Sequence, residues 1–419
     1  MIAASGQLKA DDRGRKLGFR RTPPVLRLLF IASSLLLFAG CSTLSVPFLR
    51  EPPRPGRTKL GAPVVTLSSE TVGNYLVVET KWDRYGPYHF LIDTGSSVTL
   101  VSPVLAKRYG TKDLPGVETP RVRVKSAGGA SAELPSATIE RIELGDAYFD
   151  DVPVLIYDCT ALSAHLGVKI DGILGFPLFR ETILTLDYPH NRAVLRRPSP
   201  SVQVPGTAIP FDNSARIPLI PIRLGDRTFV ALLDSGSDAP LSLNPFGLDA
   251  RYAAAPRPGA TVGTLTGDRA QQVGRLAGTL GIGDFSLPNP IVDLTDELSA
   301  IGGELLKNFT VTLDQEHAKV TFYRDSHDPI PSPPRRSAGL SFSKTPAYWR
   351  VVGVVPGSPA ETAPVHSGDL ITRINGEPVA KWNLLRYEQL IATADAITFT
   401  FLNGTTESEM RLGVFELVP

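Results

Sequence analysis

Phe90-Leu91-Ile92-Asp93-Thr94-Gly95-Ser96 decides how this chain is read, because the motif returns 141 residues later as Ala231-Leu232-Leu233-Asp234-Ser235-Gly236-Ser237. Each copy runs an apolar strand into an aspartate held in a tight turn rich in hydroxyls. One Asp-Ser-Gly-Ser alone is a common surface turn. Two copies in matching surroundings are the mark of a duplicated unit. Ile173-Leu174-Gly175-Phe176-Pro177-Leu178-Phe179 leads to Leu184-Thr185-Leu186-Asp187, and Ala300-Ile301-Gly302-Gly303-Glu304-Leu305-Leu306 leads to Val311-Thr312-Leu313-Asp314. The spacing is 127 residues at both ends, so this stretch aligns without a gap. Leu144-Gly145-Asp146 and Ile282-Gly283-Asp284 add a further matching turn.

In each half, short runs of Val, Ile, Thr and Tyr (76–80, 90–93, 121–125, 139–144) lie between Gly, Pro and Asp signals. That grammar predicts short strands packed as a barrel or sandwich, with a short helix near 177–181 and near 304–308.

On these residues the chain resembles the aspartic proteases of the pepsin and retropepsin type. The resemblance covers about 64–324 and implies a mainly β fold with a duplicated, two-lobed aspartic-protease β-barrel. In that family each lobe gives one Asp-(Thr/Ser)-Gly turn and one apolar-apolar-Gly brace. Asp93 and Asp234 match the catalytic pair, and Ile173-Leu174-Gly175 and Ala300-Ile301-Gly302 match the braces. The resemblance further implies that Thr94 and Ser235 lock the two turns together across the lobes, and that Ser96 and Ser237 hydrogen-bond the outer carboxylate oxygens. Gly95 and Gly236 leave room for close approach. Ordinary turn capping is the alternative for all four hydroxyls. The hairpin 122–134, with Gly128-Gly129 at its tip, fits a flap that closes over a substrate, and 261–275 is its counterpart in the second half.

The last segment has another pattern. Gly339-Leu340-Ser341-Phe342, Pro356-Gly357-Ser358-Pro359-Ala360 and Gly368-Asp369-Leu370-Ile371-Thr372-Arg373-Ile374-Asn375-Gly376 follow one another as in a PDZ domain of the bacterial protease-associated kind. That resemblance implies a loop at Gly339, Leu340, Ser341 and Phe342 that takes a peptide or a C-terminus by strand addition. Ser341 stands where glycine is common.

At the other end, Arg20 and Arg21 precede the apolar run 28–38, which stops at Ala39-Gly40-Cys41. This is the layout of a secretory signal, and the run is short for a membrane span. Cysteine directly after Ala-Gly resembles a bacterial lipoprotein site, with Cys41 lipidated; a plain secretory signal or an uncleaved anchor is the alternative. Ser42 after the cysteine leans towards the outer membrane. The domain reading is therefore a signal peptide over 1–41, a Pro-rich tether over 42–63, lobe 1 over 64–197, lobe 2 over 207–326 and PDZ over 336–419. Pro-rich breaks at 196–206 and 329–336 separate the last three, and the second of these reads as a linker that could be cut without loss of chemistry.

The 419 residues carry 43 basic and 42 acidic side chains, so no electrostatic footprint for nucleic acid stands out. The six histidines are dispersed without zinc spacing, neither a phosphate-cradling Gly-x-x-x-x-Gly-Lys loop nor a Gly-x-Ser-x-Gly elbow occurs, and no cofactor or metal is expected. With Cys41 acylated, Cys159 has no partner for a disulfide, and no histidine accompanies it as a nucleophile would require. The chemistry these residues suit is peptide hydrolysis by a monomer whose two carboxylates share a proton and activate water. Two rivals stand beside it: a peptide-binding scaffold that has lost catalysis, and a homodimer using the first lobe alone.

Overall fold

The computed structural model describes residues 2–3, 56–111, 119–126, 131–199, 203–264 and 267–419. The expected signal, apart from Ile2–Ala3, and the tether up to residue 55 lie outside the described residues, as do Cys41, Gly128 and Gly129. Among the described residues no helix is long and apolar enough to cross a membrane.

The fold is mainly β. A ten-stranded sheet belongs to the first half and a nine-stranded sheet to the second. Inside the first runs the strand Tyr85–Asp93, third from one edge, whose last four residues are all buried. Phe90 and Ile92 point into the main core, where Phe90 stacks on Trp82 with ring centroids 5.1 Å apart. Leu91 points the other way, into a second cluster with Tyr75, Leu166 and Ile173. Coverage on both faces explains why this strand reads as a continuous apolar run rather than an alternating one.

A third, six-stranded sheet joins the halves. Its middle is the antiparallel pair Ile183–Asp187 and Thr310–Asp314, the two segments found in repeat. Thr185 faces Thr312, with hydroxyls 3.0 Å apart, so the local twofold axis passes between equivalent residues of the two copies. The repeat continues further than the apolar pattern suggested. His190 Nδ1 lies 2.8 Å from Asp187 Oδ1, and His317 Nδ1 lies 2.8 Å from Asp314 Oδ2, at the same 127-residue spacing.

The helices after the braces are single turns, a 3-10 turn at Phe176–Phe179 and an α turn at Gly303–Leu306, each starting one residue earlier than expected. The expected tether gives up its end to the fold: Thr58–Leu60 pairs with Ala147–Phe149, and Leu60 is buried. Apolar spacing is too sparse in that Pro-rich stretch to announce a strand.

The C-terminal domain has its own core around Trp349, Ile371, Ile374, Ile397 and Phe399, under a sheet of six strands and the helix Leu384–Thr393. The 329–336 segment before it is no free linker. Ile330 is buried and its N–H donates to Ser286 O, while Ser332 Oγ accepts from Ile291 N. Arg335 Nη1 forms an ion pair with Asp293 Oδ1 at 2.5 Å. Val273 and Ile291 of the second half share a buried cluster with Val355, Leu417 and Val418 of the C-terminal domain. Cutting at Ser332 would uncover that cluster at about 1.5–3 kcal/mol per large side chain, so the domain is part of the folded body rather than an appendage.

Candidate active site

Asp93 ends its strand and Asp234 directly follows the strand Arg227–Leu233. Each strand is held in parallel by its brace. Gly172–Gly175 runs beside Phe90 to Asp93, with Gly175 opposite Asp93. Ala300–Ile301 runs beside Leu232 and Leu233, and Asp234 N–H donates to Ile301 O at 2.9 Å. Gly175 is obligatory here: a Cβ on it would lie 2.2 Å from Val98 O. An apolar brace against an apolar strand fixes where each aspartate leaves the sheet.

The two turns then meet. Thr94 Oγ1 donates to Leu233 O at 2.6 Å and accepts from Ser235 N at 3.0 Å. Ser235 Oγ donates to Ile92 O at 2.8 Å and accepts from Thr94 N at 3.0 Å. Both side chains are fully buried, so four reciprocal bonds clamp one half to the other in a water-free setting, where an unmade bond is costly.

This clamp sets the aspartates face to face. A Cβ on Gly95 would stand 2.3 Å from Asp234 Oδ1, and one on Gly236 would stand 2.2 Å from Asp93 Cγ. Each carboxyl thus rests against the bare backbone of the opposite turn. The carboxyls are 3% and 2% exposed, each against the glycine of the opposite turn. Gly236 N–H donates to Asp234 Oδ1 at 3.0 Å. Asp93 Oδ1 is buried with no hydrogen-bond partner. Burial is the main reason that the Asp93 carboxyl is pushed up to about 7, and the Asp234 charge pushes the same way.

Ser96 and Ser237 do not take the role the family pattern implied. Ser96 Oγ donates to Val98 O at 2.7 Å, and Ser237 Oγ accepts from Ala239 N at 3.4 Å. Both bond within their own turns. Three other contacts between the halves went unread in the sequence. Asn74 Nδ2 donates to Asp238 O at 3.0 Å, and Lys307 Nζ donates to Asn74 Oδ1 at 3.1 Å, fastening the first half beside the Asp234 turn. Lys125, at the described end of the first hairpin, reaches Glu297 of the second half at 2.8 Å. No motif announces such single polar residues.

Cys159 is free and buried, and burial pushes its thiol up to about 12, which suits packing and not nucleophilic attack. Among the described residues no group of His, Cys, Asp and Glu could hold a metal.

In the C-terminal domain Gly339 takes φ +81°, and a Cβ there would lie 2.4 Å from Ser358 Oγ, so the expected loop turns on a glycine that nothing larger could replace. Leu340 and Ser341 are buried, and Phe342 packs on Trp349, Tyr387 and Phe399. The second-half hairpin, Arg257–Thr264 with Gly267–Arg275, packs against the strands Leu340–Lys344 and Trp349–Val354 of this domain.

No curated protein matches the chain. Residues 78–178 match the family described as aspartyl protease, and residues 334–401 match the PDZ domain. The chain therefore contains an aspartyl protease domain and, C-terminal to it, a PDZ domain that binds a peptide or a C-terminus.

Proposed function

We propose that this protein is an aspartic endopeptidase working as a monomer, with both carboxyls supplied by one chain. The observation that carries the reading is the pair itself: two buried aspartates from equivalent turns, each resting against the glycine of the other turn and held by the Thr94–Ser235 clamp. Two carboxylates this close cannot both ionise, so they share a proton. The ionised member takes a proton from a water as it attacks the peptide carbonyl, and the protonated member donates to the carbonyl oxygen. The resulting gem-diol collapses when the leaving nitrogen is protonated, with release of amine and carboxylic acid. Which aspartate holds the proton belongs to the coupled pair rather than to either residue. Asp93 Oδ1, buried and unpartnered, is a natural acceptor for that water.

The decisive experiment incubates the full chain with a peptide library in H2(18)O and reads new termini by mass spectrometry. New C-termini carrying 18O show peptide-bond hydrolysis, and their absence from the Asp93→Asn chain assigns it to the aspartate pair. No new terminus between pH 3 and 8 would leave a peptide-binding scaffold.

The sequence layout 28–41 further leads us to place the protein on the bacterial envelope, facing the periplasm, anchored through lipid on Cys41 and more readily on the outer membrane than the inner. Acyl chains add about 0.8 kcal/mol per buried CH2, so a multiply acylated cysteine holds without a spanning helix. Cys41→Ala should leave the protein unprocessed or free of lipid, as read by the mass of its N-terminal peptide. Unchanged membrane association together with no acyl mass on the wild-type N-terminal peptide would discard the anchor.

A further inference from the structure

The peptide groove of a PDZ domain lies between one edge strand and one helix, here Leu340–Lys344 and Leu384–Thr393. Tyr387 from the helix meets Phe342 and Trp349 with ring centroids 5.6 and 5.4 Å apart, which forms the groove floor. One end of the groove is already taken. Lys344 is only 8% exposed, with its ammonium 4.7 Å from the Trp349 ring centre and 5.9 Å from that of Tyr387. An ammonium is buried at such a site only when something else covers it.

The cover is the first-lobe helix Thr160–Leu166. It packs against the strand Leu340–Lys344, with His165 within electrostatic reach of both Lys344 and Asp238. Its cap, Gly167, sits so tightly on Asn383 that a Cβ there would come 2.6 Å from Asn383 Cβ. Asn383 is the N-cap of the groove helix. The hairpin strand Arg257–Thr264 packs against the same groove strand. The covering helix is tied to the candidate active site, because Leu166 shares a buried cluster with Tyr75, Leu91 and Ile173, which belong to the Asp93 strand, its neighbour and its brace.

We infer that the PDZ groove is an intramolecular docking site, closed at one end by the helix Thr160–Leu166, and that an extended polypeptide with a free carboxylate enters fully only by displacing that helix. Entry then frees the first-lobe helix, whose Leu166 packs in one cluster with Leu91 of the Asp93 strand. The link to cleavage rests on the endopeptidase reading; the closure does not. A ligand shifts such an equilibrium only through its preference for the open form, so closure weakens binding by the fraction of molecules that are closed.

The test uses the full chain carrying Asp93→Asn, so that no cleavage intervenes. His165→Arg puts a longer, permanently charged side chain into the contact, within electrostatic reach of Lys344 and Asp238, and should open it by crowding. Amide hydrogen exchange across Ser341 to Lys344 should accelerate about tenfold, the change that about 1.4 kcal/mol of weakened docking produces. Binding to an array of decapeptides with free carboxylates, ending in each of the twenty residues, should tighten by a similar factor for the best sequences. Asn383→Ser keeps a capping hydroxyl while relaxing the contact on Gly167, and should shift both readouts in the same direction by less. Unchanged exchange and unchanged binding in both folded variants would overturn the closure, as would an array on which no peptide binds. In the chain with Asp93 intact, His165→Arg should speed cleavage of unfolded casein. If exchange and binding respond while casein stays whole, the endopeptidase reading fails and the closure stands.

Discussion

Asp93→Asn or Asp234→Asn should each lower peptide-bond cleavage by about 10²–10⁴-fold, the range that a positioned acid or base supplies. A carboxamide matches the carboxyl in size but can neither share the proton nor take one from water. The clamp through Thr94 and Ser235 uses other atoms and is left intact. Folding should not suffer. Because the Asp93 pKa is raised in the folded protein, its stabilising proton is fully held below the ordinary carboxylate range and is lost as pH rises through about 7. An asparagine never ionises, so above pH 7 the Asp93→Asn protein should melt at or above the wild-type temperature. Cleavage kinetics and thermal melts on the same samples check both statements. Mixing the two variants should restore nothing, since each chain holds its own pair. Full activity in Asp234→Asn would point to a homodimer of first lobes.

Gly236→Ala is the second large effect. Its Cβ would fall 2.2 Å from Asp93 Cγ, where carbon atoms ordinarily rest about 3.5–4.0 Å apart. Four buried hydrogen bonds prevent the turn from backing away, so the carboxyl must move and the pair separates. We expect a stability loss of about 1–3 kcal/mol, typical of overpacking, and cleavage reduced as far as in the aspartate variants. Gly278→Ala, where no atom lies within 4 Å, is the control and should be close to neutral. Wild-type cleavage by Gly236→Ala would show that the two turns are not in contact in solution.

How much of this was legible follows from how local each signal is. The strand, the aspartate turn and the brace are contiguous segments, and their repetition at fixed spacing gave away the duplication before any contact was known. The PDZ domain was legible for the same reason, through three turns in fixed order. The Thr94–Ser235 clamp could be expected only from the family resemblance, because its partners lie 141 residues apart. Ser96 and Ser237 went the other way: a hydroxyl in a turn has its own backbone within reach, and the local bond won. Asn74 on Asp238 and Lys125 on Glu297 join turns 164 and 172 residues apart and leave no periodic trace. The 329–336 segment looked like a linker because its prolines hide the scattered residues that anchor it, Ile330, Ser332 and Arg335.

The shared proton is the centre of the account, and the pH dependence of kcat/KM for the full chain on a short peptide tests it most directly. With Asp93 raised to about 7 by burial and by Asp234, the pair keeps one proton through the acidic range and gives it up above neutrality. The predicted profile is a bell whose upper limb falls near pH 7, with activity dropping about tenfold per unit beyond it as both carboxyls ionise. A rate that stays flat or climbs to pH 9 would contradict the shared proton and, with it, the two-carboxylate mechanism.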